Sequence, residues 1–200
     1  LLTLRRQQLI IQDRAHWLEE KVALATQEIV TRERETLLRL AKAGEYRDEE
    51  TGYHILRMAR FSLLIAEHLG LSGEERHVIE TAAPMHDIGK IGIPDNILLK
   101  PGKLDSGELD IMRAHARIGY EILKDSPSKY LQMGAVIAHG HHEKFDGSGY
   151  PDGLAGEAIP LPARIVAVAD VFDALTSERP YKRAWSIQDA IQYLQTEQGR

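Results

Sequence analysis

The sequence predicts an all-α fold, a bundle of short helices preceded by one long N-terminal helix. Three observations carry that reading. Residues 1–43 contain no glycine and no proline, so nothing interrupts a helix there. Beyond them, apolar residues recur at three- and four-residue spacing between glycines, prolines and capping residues. Only residues 164–169 pass for a strand, and Ala167 and Ala169 favour helix there.

Taken in order, the first helix carries a heptad at Leu1, Leu4, Gln8, Ile11, Ala15, Leu18, Val22, Ala25 and Ile29. Eight of these nine positions are apolar, the seam of a coiled coil. The pattern fails at the polar run 31–35. Leu37, Leu38, Leu40 and Ala41 then restart an apolar face, and Gly44 is the expected stop. Residues 50–69 carry helical spacing through Ile55, Met58, Leu63 and Ile65, ending at Gly70. Ser72 with Glu75 forms a capping-box pattern that opens a helix over 73–88. Residues 89–102 read as a loop. Asp105 with Glu108 caps a helix over 106–124, and another covers 129–142. Residues 143–160 hold six glycines and prolines and form a long loop. Pro162 opens a helix to about Leu175, and Ser186 starts the last. No internal repeat is present. The expected division is a connector or coiled-coil helix over 1–43 and one catalytic domain over 44–200.

Composition narrows the class. At 43% hydrophobic and 28% charged residues, the chain has the make-up of a soluble globular protein with a real core. A net charge of −5 argues against a general nucleic-acid binder. An anionic substrate would need local positive charge, from metals or a few placed Lys and Arg. The absence of cysteine excludes disulfides, thiolate metal sites and a Cys nucleophile, and is compatible with the expected cytoplasmic location. No run approaches the roughly 18 apolar residues of a membrane span, and no signal-peptide pattern is present. Residue 1 is Leu, so the chain reads as a piece of a longer protein.

The chemistry centres on His86-Asp87, set in the apolar segment Ala82 to Ile93. Burying His and Asp there is costly unless they pair or bind metal. A lone His-Asp dipeptide reads more simply as a buried ion pair or a cap, but this one has company. Glu50 and His54 lie one helical turn apart on one face. His115 sits in an apolar-rich helix, His141-His142 ends another, and Asp170 interrupts the apolar run Ile165 to Phe172. Five His and three carboxylates from separate segments suit Fe, Mn, Zn, Co or Ni, and exceed the needs of one ion. Lys90, one turn after His86, would clamp a phosphate oxygen; its plain alternative is an exposed lysine. His139 would lie near the site. His16, His68 and His77 read as surface residues, and Trp17 and Trp185 as packing.

The ordered strings ETGYH (50–54), HDIGKIGIP (86–94), LKPGKL (99–104), MRAH (112–115), HHEKFDGSGYP (141–151), IPLPARI (159–165), DVFDALT (170–176) and RPYK (179–182) resemble the HD-GYP domains, a branch of the HD phosphohydrolases. The resemblance covers residues 45–195, and the set including Gly149-Tyr150-Pro151 is far more specific than the His-Asp pair. It implies an HD-type helical bundle that hydrolyses cyclic di-GMP to pGpG, sometimes on to GMP. It implies metal ligands Glu50, His54, His86, Asp87, His115, His141, His142 and Asp170, with Lys90 against the phosphate. Arg179, Lys182 and Tyr150 are the implied substrate contacts, and Asp173 matches a position near the attacking water or the substrate. Two or three divalent ions are expected, Fe or Mn. Members are often joined to receiver or other sensor domains, as in response regulators, and the long helix resembles such a connector.

The mechanism expected is metal-assisted attack of water on a phosphodiester. Asp173 is one candidate for protonating the leaving oxygen. Expected partners are cyclic di-GMP, a second copy through the N-terminal helix and a diguanylate cyclase through the Gly-Tyr-Pro loop; no nucleic acid and no membrane are expected for this segment. Two other readings compete: a module that binds a cyclic dinucleotide or a diguanylate cyclase without turnover, and an HD enzyme for another nucleotide such as 3′,3′-cGAMP.

Overall fold

A computed structural model of the chain describes residues 2–47, 53–178 and 183–199, with residues 2–4 as backbone alone. Glu50, Arg179 and Lys182 lie outside the described residues. The chain forms two compact units, 1–37 and 38–200. The break falls within helix α1 (Leu2–Glu45), a few residues before the expected boundary at 43.

In the first unit, α1 runs through the polar stretch 31–35 without a break. Thr31 there donates its hydroxyl back to Gln27 O at 2.8 Å, and Arg32 pairs with Glu28 at 2.5 Å. Such i to i−4 contacts sustain a helix whose polar residues face water. The seam side chains Ile11, Leu18, Val22 and Ile29 are exposed.

The second unit is all-α, with no strand among the described residues. Its helices are α2 (His54–His68), α3 (Gly73–Ala82), α4 (Asp95–Leu98), α5 (Ser106–Arg113), α6 (His115–Leu123), α7 (Lys129–Gly140), α8 (Leu161–Thr176) and α9 (Ile187–Thr196). Capping boxes at Ser72/Glu75 and Asp105/Glu108 start α3 and α5, and Ser186 caps α9. Helix α2 packs on α3 and α8, and α7 on α3, α6 and α8. Ala66, Ile79 and Ile165 bring α2, α3 and α8 together in the core, and Phe61 meets Phe172 edge to face at 5.0 Å. No described helix is long and apolar enough to cross a membrane.

Two expected helices are divided. The helix expected over 73–88 ends at Ala82, because Pro84 has no N–H for an α-helical bond; the 3-10 turns Ala83–Met85 and Ile88–Gly92 follow. His86 and Asp87 therefore sit between two tight turns and not on one helix face. The helix over 106–124 breaks at Ala114 into α5 and α6. At Gly89 a side chain is impossible: a Cβ would lie 1.9 Å from His115 O. That close approach sets the His86-Asp87 segment against the start of α6.

Candidate metal centre

Four imidazoles are oriented by the same device. His86 Nδ1 lies 3.1 Å from Ala83 O, and His115 Nδ1 lies 2.7 Å from Met112 O. His141 Nδ1 is shared between Ile137 O and Ala138 O, each at 3.1 Å. His54 Nδ1 lies 2.6 Å from Asp173 Oδ2. Carbonyl and carboxylate oxygens only accept, so each Nδ1 carries a proton and each Nε2 is the atom left to face a cation. The Nε2 atoms of His86, His115 and His141 are buried and have no hydrogen-bond partner among the described residues.

Asp87 stands between them. Its Oδ1 faces His115 Nε2 at 3.2 Å and His141 Nε2 at 3.5 Å. Its Oδ2 faces His86 Nε2 at 3.3 Å and Lys90 Nζ at 2.9 Å. Ligand atoms sharing an ion at about 2.1 Å sit roughly 3.0–3.4 Å apart; the His115 and His86 separations of 3.2 and 3.3 Å fall in that range and the His141 separation of 3.5 Å lies just beyond it. Asp87, His115, His141 and His142 form one group with donor atoms within 4.8 Å of one another, and Glu45, His54 and His86 form a second. Asp170 Oδ1 lies 3.7 Å from His54 Nε2. The donors fit divalent transition ions: nitrogen and oxygen, no sulfur, orphaned unless a cation is shared.

The electrostatics favour positive charge at this place. Burial would push Asp87 up, but His86, Lys90, His115 and His141 hold it well below the usual carboxylate range. Burial pushes His86 down, but Asp87, Asp170 and Glu45 overcome it and raise it to about 10. Burial lowers His141 and, more strongly, His142. Desolvation raises Glu45 to about 7.

Asp173 lies one layer behind the imidazoles, against His54 and Arg57. Its carboxylate is 1% exposed and lies behind His54, where Arg57 Nε and a terminal nitrogen donate to it at 2.5 and 2.9 Å. Burial would raise it, but His54 and Arg57 lower it to about 2. α8 turns it inward toward α2, against His54 and Arg57. Tyr150 lies beside the centre, its ring stacked on His142 at 4.6 Å with the Arg113 guanidinium 5.3 Å away over it. Burial pushes the Tyr150 hydroxyl up. His139 Nε2 is engaged by Asp152, 2.8 Å from its Oδ2. Glu143 is buried and accepts from Asp152 N and Leu154 N at 2.8 and 2.9 Å, which folds the Gly-Tyr-Pro loop back on α7.

Sequence reasoning missed Glu45, Arg57, Arg113 and Glu143. Arg113 and Glu143 stand inside the recognised strings and carried a signal; Glu45 carried none, as one acid at a polar helix end.

Residues 10–200 match the family described as HD domain. The chain is 57% identical over 200 residues to the cyclic di-GMP phosphodiesterase response regulator RpfG of Xanthomonas campestris, covering 100% of this chain and 53% of that protein. It is 50% identical over 166 residues to a cyclic di-GMP phosphodiesterase of Thermotoga maritima, covering 83% and 45%. It is 46% identical over 167 residues to 3′3′-cGAMP-specific phosphodiesterase 2 of Vibrio cholerae, covering 84% and 32%. The chain thus spans about half or less of the length of these curated relatives. A solved cyclic GMP-AMP-specific phosphodiesterase of Vibrio cholerae shares the fold, with a TM-score of 0.61, 22% identity and coverage of 83% and 44%.

Proposed function

The chain belongs to the HD domain family, and from that membership we propose that it is a metal-dependent phosphodiesterase hydrolysing cyclic di-GMP to pGpG, and on to GMP where the product is retained. The observation that carries the reading is the convergence of Nδ1-anchored imidazoles on the two oxygens of Asp87. The relatives named cyclic di-GMP phosphodiesterases support the substrate.

In this reading His86, Asp87, His115, His141 and His142 hold the ions with His54 and Asp170, and Glu50 joins from outside the described residues. Two or three ions per chain, Fe or Mn, suit the donor set. When bound, such ions make water a nucleophile at neutral pH and neutralise phosphate oxygens. Lys90, already beside Asp87, adds positive charge where the phosphoryl oxygens become more negative. Tyr150, Arg179 and Lys182 hold the substrate. Asp173 acts through His54 as a positioning residue. A cytoplasmic location goes with this substrate. The exposed heptad supports a parallel homodimer through α1, and the Gly-Tyr-Pro loop is the proposed contact for a diguanylate cyclase.

A second reading, cleavage of 3′3′-cGAMP, is favoured by the relative specific for it. Product chromatography of metal-loaded protein on both dinucleotides tests the proposal. Faster cleavage of cyclic di-GMP supports the first reading, faster cleavage of 3′3′-cGAMP replaces it with the second, and no cleavage of either overturns both.

A further inference from the structure

Glu45 is the most unusual buried group that the motif set leaves out. It is the last residue of α1, yet it is only 4% exposed. Neither carboxylate oxygen has a hydrogen-bond partner among the described residues. A buried carboxylate without donors is costly, so its place needs a compensating charge. A ligand atom of Glu45 and those of His54 and His86 all lie within 4.8 Å of one another. His54 comes from the first turn of α2, and His86 from the segment between the 3-10 turns.

The local fold holds Glu45 there from both sides. On one side Gly44 lies against the residue after Asp87: a Cβ at Gly44 would stand 2.7 Å from Ile88 Cδ1. On the other, the Arg47 guanidinium donates to Ile91 O and Ile93 O, each at 2.9 Å, and pairs with Asp95. These contacts tie residues 44–47 to the turn that carries His86, Asp87 and Lys90.

We propose that Glu45 is a metal ligand, closing with His54 and His86 a cation site next to the one formed by Asp87, His115, His141 and His142. This rests on the reading of the cluster as a metal centre. The HD-GYP resemblance assigns the carboxylate of this half-site to Glu50; the buried, donorless carboxylate among the described residues is that of Glu45. Asp87 joins the two sites, because one of its oxygens faces His86 and the other faces His115 and His141.

The test is Mn(II) binding by the intact chain, read by elemental analysis and by titration, in wild type, Glu45→Gln and the double variant Glu45→Gln/His54→Ala. Wild-type protein that binds no Mn(II) rejects the metal centre itself and is thereby distinguished from failure of the Glu45 assignment. Given binding by wild type, Glu45→Gln is expected to weaken one ion by tenfold or more and leave the other in place. The double variant Glu45→Gln/His54→Ala is expected to lose no further ion. In the metal-free state Glu45→Gln is expected to melt within a few degrees of wild type, since the Glu45 carboxylate has no hydrogen bond to lose. Mn(II) stoichiometry and affinity unchanged by Glu45→Gln would overturn the assignment.

Discussion

Asp173 shows how much a single carboxylate decides here. It is buried, takes two hydrogen bonds from Arg57 and holds His54 Nδ1 at 2.6 Å, so it fixes both the tautomer and the tilt of that ring. Asp173→Asn keeps the shape and removes the charge that stabilises His54 as a donor to a cation. The expected result is a loss of metal affinity of about 10–100-fold, with the helical circular dichroism unchanged. Titration with Mn(II) checks it, and unchanged affinity would return Asp173 to a purely structural role. Asp173→Ala is a harsher change, because it removes the buried carboxylate that His54 and Arg57 share. It should destabilise by about 1–3 kcal/mol, read from urea unfolding. Asp87 is the residue that two groups of donors share, and Asp87→Ala should abolish turnover while the fold persists.

At the level of elements, the site depends on one short approach. The turn Ile88–Gly92 lies so close to α6 that residue 89 must be glycine. Gly89→Ala places its methyl against backbone, not a movable side chain, so it should cost at least about 2–3 kcal/mol and displace Asp87 from His115. A fall in both melting temperature and metal content would bear this out; a fully stable, fully loaded variant would not. The helices themselves were legible because Ser72/Glu75, Asp105/Glu108 and Ser186 announce their starts. Helix ends were less so. Pro84 stops α3, yet the apolar run through Ala82, Ala83 and Met85 reads as continuous helix. The imidazoles stood out as polar residues in apolar runs, whereas Glu45 lies among Lys42, Tyr46 and Arg47 like any solvated helix end. Its neighbours Gly44 and Arg47 meet Ile88, Ile91 and Ile93, more than forty residues away, and no local pattern encodes those contacts. Asp173 was legible as a motif residue, but its inward orientation depends on Arg57 of α2.

For the whole molecule, the two units ask different questions. In the first, apolar side chains at Ile11, Leu18, Val22 and Ile29 are exposed at heptad spacing. A parallel coiled coil through them would bury that seam. Leu18→Lys with Ile29→Lys should convert a dimer to a monomer by light scattering without altering metal content; an unchanged mass would refute the coiled coil. In the second unit, buried polar atoms converge from α1, α2, the 3-10 turns, α6 and the end of α7, and no hydrophobic packing accounts for them. In the proposed function, a shared metal centre makes this bundle a cyclic-dinucleotide phosphodiesterase. The most direct test follows cyclic di-GMP cleavage by chromatography in wild type and His86→Ala, with metal content measured on the same samples. The expected result is pGpG from metal-loaded wild type, and none from chelator-stripped wild type or from His86→Ala. Full cleavage by either of the last two would overturn the metal-dependent mechanism.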